Sequence, residues 1–388
     1  MDTAAFVNPS GTLVPRRAAV SGRQYWAFVP DPLPPSLDLA DVGSLAPLLA
    51  EASQAFGMLS GAGRVLPNPD VLVSPYLRRE AIMSSRIENT HASFSDLAAF
   101  EATQQESPAS QARDVHNYVL ALEYGLRHVR DEGFTLDLIR RIHRLLMAGA
   151  RGERLSTPGE FRTMQNHIGE TPDPADAHFV PPPPDEAMAA LEGLIEYLSR
   201  PRDSESVLIE AAWMHYQFET IHPFLDGNGR VGRVLIPLLF SLRGEMEHPL
   251  LYLSPYFETD RAAYYDALFG VSTRSEWTDW LRYFLAGVAD QARVGARLAG
   301  DLIALGAEWR HRLDLARASR HAHRLAEFVQ EHSAVDAKTA RLNLGVSPTT
   351  AYAAIKALVD TGILEEYTGR NWGQLYIAPE LRDLMESA

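Results

Sequence analysis

The sequence predicts a mainly α protein, in which a helical core carries one short β-hairpin and is followed by a small α+β module. Apolar residues recur at helical spacing through most of residues 45–298. Alternating, strand-like patterns are scarce before residue 340. Residues 163–184 contain prolines at 172 and 174 and four consecutive prolines at 181–184. No helix is expected there, so this interval is predicted to be a long loop or a hairpin.

The elements follow in chain order. Residues 26–42 contain four prolines and predict an extended arm. A first helix is predicted from about Leu45, because apolar residues from there follow i, i+3, i+4 spacing. Glycines and prolines within 61–69 end that helix, and a second is predicted at 75–88. After a polar loop at 104–111, the same periodicity predicts helices at 112–130, 135–148, 186–199, 206–220, 229–243, 259–269 and 276–298.

Composition excludes several classes of site. The 388 residues include 36 basic and 50 acidic side chains, a net charge of −14, and no cysteine. Disulfides, thiol nucleophiles, zinc–thiolate sites and iron–sulfur clusters are therefore excluded. The acidic balance argues against a chain that coats nucleic acid over its whole surface, although one local basic site remains compatible with it. The length predicts two or three domains.

Neither a membrane span nor an export signal is expected. The first 20 residues lack an apolar core of signal-peptide length. The longest apolar run near the middle of the chain, residues 234–240, is far shorter than the roughly 20 residues that cross a bilayer. We therefore expect a soluble, cytoplasmic protein with no membrane partner.

Residues 222–233 read His-Pro-Phe-Leu-Asp-Gly-Asn-Gly-Arg-Val-Gly-Arg and predict a phosphate site. Pro223 turns the chain after a helix, and Gly227 and Gly229 allow a tight path with accessible amides. The helix that follows points its N-terminus at this loop, and glycine amides beside a helix N-terminus bind anions well.

The charged side chains of the same segment fit that chemistry. Arg230 and Arg233 lie three residues apart on the new helix, so both can grip phosphate oxygens as bidentate forks. Asp226 is a hard oxygen ligand beside the cradle and suits Mg²⁺. His222 titrates near neutrality and can take a proton from an incoming hydroxyl.

The segment also resembles the signature of the Fic-domain family, His-Pro-Phe-x-(Asp/Glu)-Gly-Asn-Gly-Arg-x-x-Arg, at every specified position. The intervals 158–162, 165–169 and 179–183 resemble the flap that precedes this signature in the family. Residues 251–254 and 264–265 resemble the segment downstream of it. The likeness covers roughly residues 26–300 and implies a helical Fic core with a β-hairpin flap.

The resemblance implies transfer of AMP from ATP to a Ser, Thr or Tyr hydroxyl of a target protein, or of the chain itself. Each role carries over to a matching position. His222 is implied as the base, Asp226 as the Mg²⁺ ligand, and Tyr264 as an adenine contact. The implied phosphate contacts are Gly227, Asn228, Gly229, Arg230 and Arg233. The implied target-binding flap is Ile168 with Phe179 and Val180. Gly229 stands where members that act as kinases carry lysine, which favours nucleotidyl transfer.

A second motif implies built-in inhibition. Residues 84–89 read Ser-Ser-Arg-Ile-Glu-Asn, and helical spacing puts Ser84 and Glu88 on one stripe with Leu77 and Ala81. The segment resembles the inhibitory motif (Ser/Thr)-x-x-x-Glu-(Gly/Asn) of self-inhibited Fic proteins. In those proteins the glutamate pairs with the second motif arginine, here Arg233, and a carboxylate can substitute for a phosphate oxygen in an arginine fork.

The C-terminal residues resemble a winged helix-turn-helix. Helices are predicted at 335–344 and 348–359 with Ser347 as an N-cap, and strands at 363–367 and 375–377 around a tip at 369–371. Residues 320–388 contain seven basic and nine acidic side chains. That balance favours protein contact or homodimer formation over DNA binding, which stays open as an alternative.

The predicted domains are an N-terminal arm and helical region (1–105) with an inhibitory helix at about 76–90, a Fic core (106–300), and a linker helix with the winged helix (301–388). Two functions compete: a self-inhibited AMP-transferring enzyme, and a DNA-binding regulator with a nucleotide-sensing core. His222 favours the enzyme, since a sensor needs no base. An enzyme that removes AMP or uses another nucleotide donor also stays open.

Overall fold

The computed structural model describes residues 1–64, 68–104, 111–149, 157–169, 171–201, 206–370 and 372–387, and only the backbone of 39–42. The predicted domain boundary at 105/106, most of the predicted loop at 104–111 and the tip residue Asn371 lie outside the described residues.

The described chain is mostly helical, as the apolar periodicity predicts. Its helices are α1 (Leu39–Arg64), α2 (Asp70–Ile87), α3 (Phe94–Thr103), α4 (Ala112–Glu132), α5 (Leu136–Met147), α6 (Pro184–Ser199), α7 (Val207–Ile221), α8 (Asn228–Leu242), α9 (Ser254–Thr259), α10 (Arg261–Arg274), α11 (Trp277–Leu315), α12 (Arg320–His332), α13 (Ala337–Leu344), α14 (Pro348–Asp360) and α15 (Pro379–Ser387). Helix α11 runs past its predicted end at 298, because Leu302, Trp309 and Leu313 continue its buried stripe.

The N-terminal arm differs from its prediction. Strands β1 (Gly11–Arg17) and β2 (Gln24–Pro30) form an antiparallel hairpin, with Gly11 opposite Pro30. Residues 39–42, predicted as arm, already belong to α1. The hairpin packs Tyr25 and Ala27 against Val180, which lies far away in the sequence. Such a tertiary contact stabilises strands that local periodicity does not reveal.

The chain divides into two compact units. The first comprises Met1–Phe56, Leu120–Met246 and Leu253–Asp290. Its centre is the pair α7 and α8, whose side chains are almost all buried. Trp280 of α11 is fully buried and donates from Nε1 to the Ala212 carbonyl oxygen at 2.9 Å, which ties α11 to α7. This arrangement holds the two ends of the 222–233 loop on rigid helices.

The second unit comprises Gly57–Val119, Glu247–Tyr252 and Gln291–Ala388. Its C-terminal part contains α12, β3 (Ala334–Asp336), α13, α14, β4 (Glu365–Glu366) and β5 (Leu375–Ile377) in that order. The sheet order is β3-β5-β4, and β5 is antiparallel to both neighbours. Ser347 is the N-cap of α14, as the sequence predicts, and its hydroxyl accepts the Thr350 N–H.

A search of the described helices for a stretch long and apolar enough to cross a lipid bilayer finds none.

Candidate active site

His222 lies at the sharp turn between α7 and the 222–233 loop. Its backbone has the left-handed conformation, with φ 51° and ψ 59°, and its N–H caps α7 by donating to the Phe218 carbonyl oxygen. The ring Nδ1 lies 3.1 Å from the Glu219 carbonyl oxygen. Because that oxygen can only accept, Nδ1 carries a proton, and in the neutral form of the ring the lone pair is on Nε2. The half-buried imidazole is therefore in the tautomer that a general base needs.

The loop is closed by Asn228, the first residue of α8. Its Oδ1 accepts the Phe224 N–H at 2.8 Å, and its Nδ2 donates to the Phe224 carbonyl oxygen at 2.9 Å. Only 2% of Asn228 is exposed. Both polar atoms of this side chain are thus used within the loop, so the Asn228 side chain fixes the shape of the loop.

The N-terminus of α8 lies beside two buried arginines, a combination that can bind an anion. Its N-cap is Gly227, with φ 79° and no side-chain hydrogen bond to the first turn. Arg230 and Arg233, predicted as phosphate contacts, are 6% and 2% exposed on the first turns of this helix. Among the described residues no carboxylate pairs with Arg230, whose Nη2 lies 3.3 Å from the Met147 sulfur and whose Nε has no hydrogen-bond partner. A buried cation without a paired carboxylate is costly, and a bound anion would offset that cost.

Asp226 is exposed beside this cradle, and its Oδ1 accepts the Gly227 N–H at 2.6 Å. Within the described ranges no three or more histidine, aspartate or glutamate side chains gather into a metal cluster. A single oriented carboxylate fits Mg²⁺, which takes few protein ligands and completes its shell with water and substrate phosphates.

His143 on α5 is a site residue that the sequence analysis missed. Its Nδ1 accepts the Gly159 N–H at 2.8 Å, and its Nε2 lies 3.0 Å from the Asp226 carbonyl oxygen. Burial, together with the Arg230 charge, lowers the pKa of His143 to about 4, so the ring is neutral and donates from Nε2. The ring also stacks on Phe224 at 3.8 Å between centroids. A histidine on the buried stripe of an amphipathic helix was the available signal.

Arg162 and Asn166 also have a role that the sequence analysis missed. Both lie in intervals that the sequence assigned only to the flap, yet their side chains donate to the backbone carbonyl oxygens of residues 221, 222 and 224. Only 3% of Arg162 is exposed. Because these contacts join segments distant in sequence, no local pattern indicates them.

The flap forms a hairpin bridge between Ile168 and Phe179. Ile168 donates its N–H to the Phe179 carbonyl oxygen at 2.8 Å, and its side chain is 40% exposed. Phe179 and Val180 are buried, and the Val180 carbonyl oxygen accepts the Phe28 N–H of β2. Of the three predicted flap residues, Ile168 is therefore the one whose side chain a target can contact in this structure.

Tyr264, predicted as an adenine contact, is enclosed by other aromatic side chains. It is fully buried, its hydroxyl lies 2.7 Å from His215 Nε2, and its ring stacks on Phe257. Burial, with the Arg233 charge, lowers the pKa of His215 to about 3, so His215 is neutral. The structure does not present the Tyr264 ring to a ligand, whereas the neighbouring Tyr265 is 47% exposed.

The predicted inhibitory motif lies at the end of α2, in the second unit. Ser84 is fully buried, and Glu88 is exposed at the C-cap, with its N–H bonded to the carbonyl oxygens of Ser85 and Arg86. Arg233, its predicted partner, belongs to the first unit.

Comparison with known proteins agrees with the motif. Residues 46–127 match the family description "Fic/DOC family N-terminal", and residues 133–240 match "Fic/DOC family". A curated relative from Caenorhabditis elegans, a protein adenylyltransferase, is 27% identical over 41% of this chain and 30% of its own. One from Nematostella vectensis, with the same activity in its name, is 28% identical over 42% of this chain and 36% of its own. The chain thus spans about a third of the length of these curated relatives.

Two solved structures show the same fold. A Fic family protein from Desulfovibrio desulfuricans superposes with a TM-score of 0.53 at 19% identity, over 90% of this chain and 98% of its own. A Fic domain containing signaling protein from Bacteroides thetaiotaomicron gives a TM-score of 0.52 at 18% identity, over 65% of this chain and 96% of its own. With both family domains matched in order and the signature at the turn, the chain is a member of the Fic/DOC family.

Proposed function

We propose that the chain transfers AMP from ATP to a hydroxyl group of a target protein and releases pyrophosphate. The observation that carries this proposal is that one short loop joins His222, at the end of α7, to the N-terminus of α8 with its buried Arg230. The names of the curated relatives as protein adenylyltransferases support it.

In the proposed reaction, His222 Nε2 removes the proton of the target hydroxyl, whose oxygen attacks the α-phosphorus of ATP. The bond from the α-phosphorus to the bridging oxygen of pyrophosphate breaks as the new bond forms. Amide groups at 227–229, with Arg230 and Arg233, bind the phosphates and stabilise the charge that develops on pyrophosphate. Asp226 would hold Mg²⁺, which neutralises phosphate charge when bound.

The flap is proposed to bind the target as an added strand. Ile168 lies on the side of the flap strand 179–180 away from β2, because Val180 already bonds to Phe28 of β2. Main-chain hydrogen bonds from the outer edge of the segment at Ile168 would hold an extended target segment with little dependence on its sequence.

Glu88 is proposed to inhibit the enzyme by occupying Arg233. The support is the match of residues 84–89 to the inhibitory motif, together with the exposure of Glu88 at the end of α2. A carboxylate on the Arg233 guanidinium would compete with a phosphate oxygen of ATP and disfavour the productive pose.

Residues 320–388 are proposed to contain a winged helix that contacts protein. The order helix, strand, helix, helix, strand, strand supports the fold. Two basic side chains of this module are already paired on its surface: Lys356 with Asp360 at 2.7 Å, and Arg382 with Glu365 at 2.9 Å. This pairing reduces the positive charge available to DNA phosphates.

ATP labelled at the α-phosphorus tests the function, with a target-containing lysate or the chain itself as acceptor. We expect the label to enter protein with the unsubstituted chain or with Glu88→Gly, and to be lost with His222→Ala. His323→Ala is the matched control, since His323 pairs with Asp314 outside the site. Labelling that persists in His222→Ala would reject the mechanism.

A further inference from the structure

We propose that Arg162 and Asn166 are positioning residues that hold the backbone of His222 and fix the flap relative to it. This inference rests on the proposed function, because it assigns to two side chains the geometry that His222 needs as a base. Neither side chain belongs to the 222–233 signature.

Arg162 binds three successive residues at the turn. Its Nε donates to the His222 carbonyl oxygen at 2.8 Å, and its Nη2 reaches the Ile221 carbonyl oxygen at 3.4 Å. Its backbone N–H donates to the Pro223 carbonyl oxygen at 3.0 Å. One residue from the flap thus contacts the backbone on both sides of the base.

Asn166, further along the flap, supplies the remaining hydrogen bonds to this turn. Its Nδ2 donates to the His222 carbonyl oxygen at 3.2 Å and to the Phe224 carbonyl oxygen at 2.8 Å. Together the two residues bind four consecutive carbonyl oxygens, 221 to 224, and two donors converge on that of His222. The His222 N–H and the bond to Ile221 serve as caps of α7, but the bonds to the carbonyl oxygens of residues 222 to 224 lie beyond the helix.

The need for these donors follows from the backbone of His222. A non-glycine residue at φ 51° and ψ 59° is in the left-handed region, which costs about 1–2 kcal/mol. In that conformation the carbonyl oxygen of His222 points to Arg162 and Asn166, while its Nδ1 bonds to Glu219. Loss of the donors would let the peptide rotate, and the ring would move with it.

The other end of Arg162 holds the flap. Its Nη2 donates to the Pro182 carbonyl oxygen and its Nη1 to the Met164 carbonyl oxygen, the latter at 3.3 Å. Gln165 Nε2 adds a bond to the Pro181 carbonyl oxygen at 2.9 Å. Both strands of the flap are therefore tied to the same guanidinium as His222, so a hydroxyl on a strand paired at Ile168 reaches the base at a fixed distance.

The guanidinium of Arg162 is used entirely for backbone. Burial lowers its pKa to about 10, and among the described residues no carboxylate pairs with it. A buried cation bonded only to carbonyl oxygens is expensive for a fold that needs stability alone. Its rigid planar fork is what places several donors at once, and lysine has no such fork.

Steady-state kinetics on the full chain carrying Glu88→Gly tests the proposal, with Arg162→Lys and Asn166→Ala as variants. We expect kcat to fall about 10²-fold for Arg162→Lys, because a misplacement of about 1 Å has effects of that size. The Kd for ATP, measured by calorimetry, should stay within about 3-fold, because the phosphate contacts remain. Arg140→Lys is the matched control: Arg140 Nε also donates to a carbonyl oxygen of this region, that of Gly159, but not to residues 221–224.

A second readout follows the His222 ring itself. In ¹⁵N-histidine NMR spectra, assigned by comparison with His222→Ala, the unsubstituted ring should show the Nδ1–H tautomer and Arg162→Lys a mixture. An Arg162→Lys variant with the kcat of Arg140→Lys would overturn the proposal. If no variant transfers AMP, the proposed function fails, and the ring tautomer of His222 then tests the positioning role by itself. A change of tautomer in Arg162→Lys supports that role, and an unchanged tautomer rejects it.

Discussion

The guanidinium of Arg230 lies against the sulfur of Met147, with 3.3 Å between Nη2 and Sδ. Thioether sulfur is a weak acceptor and does not compensate a buried cation. Both residues border the loop, since a Cβ on Gly227 would lie 2.9 Å from the same sulfur. Met147 thus occupies the space beside Arg230 without neutralising it, as the proposed phosphate site requires.

Removing the charge of Arg230 should weaken ATP binding. We expect Arg230→Gln to raise the Kd for ATP about 10- to 100-fold, because charge-assisted hydrogen bonds are worth about 1.5–3 kcal/mol. Arg282→Gln makes the same chemical change on the surface, where Arg282 pairs with Asp279, and should leave the Kd unchanged. Calorimetric titration with ATP measures both, and equal effects would argue against a phosphate contact at Arg230.

Gly227 should tolerate no side chain. Its φ of 79° is strained for other residues, and an added Cβ would meet Met147 and the His143 ring, at 2.9 and 3.5 Å. Gly227→Ala should destabilise the chain by about 2 kcal/mol or more and abolish ATP binding. Gly22→Ala is the control for backbone strain without steric collision, since Gly22 has φ 70° and nothing lies within 4 Å of an added Cβ. Gly22→Ala should lower the free energy of unfolding, measured by chemical denaturation, by only about 1–2 kcal/mol, and ATP binding should stay intact.

His143 should make the chain sensitive to acid. Its pKa in the folded state, about 4, lies below the ordinary value of 6.5. As pH falls through 6.5, His143 takes up a proton in the unfolded chain but stays neutral in the folded chain. The contribution of His143 is therefore complete above about pH 6.5 and is lost progressively toward pH 4, by on the order of 3 kcal/mol.

Denaturation curves between pH 7.5 and 4.5 measure this effect. His143→Gln removes the titration while keeping an acceptor and a donor, so its stability should fall less steeply with acid. A shallower slope will remain, since His215, with its pKa lowered to about 3, has the same sign. Identical slopes in the two chains would mean that His143 is not buried in the neutral form.

Glu88→Gly should raise AMP transfer, because the carboxylate no longer competes for Arg233. We expect a gain of at least about 10-fold in self-labelling from α-labelled ATP, corresponding to about 1.4 kcal/mol. Asn89→Gly is the control: it removes the neighbouring side chain at φ 56° but keeps the carboxylate. An equal gain from both substitutions would assign the effect to loosening of the end of α2.

Local signals predicted the helices around residues 222–233 well. Helices α5, α7 and α8 begin and end within one residue of their predicted bounds, because their apolar stripes and the Pro-Gly pattern of the turn are encoded in adjacent residues. The N-terminus of α8 at Asn228 lies one residue before its predicted start, whereas the burial of Arg230 was not predicted.

The features that local signals missed depend on contacts between segments that meet only in the folded chain. The β1–β2 hairpin is stabilised by packing on Ala177 and Val180. His143 and Arg162 act on carbonyl oxygens of residues 60 or more positions away. Tyr264 was assigned by position in a family segment, and its burial behind Phe257 could not be read from that position.

The most direct test of the account compares ATP labelled at the α-phosphorus with ATP labelled at the γ-phosphorus, using the Glu88→Gly chain and its His222→Ala derivative. If His222 catalyses AMP transfer, the α label enters protein in the first chain only, with one pyrophosphate released per label. Entry of the γ label, or α labelling that survives the loss of His222, would contradict it.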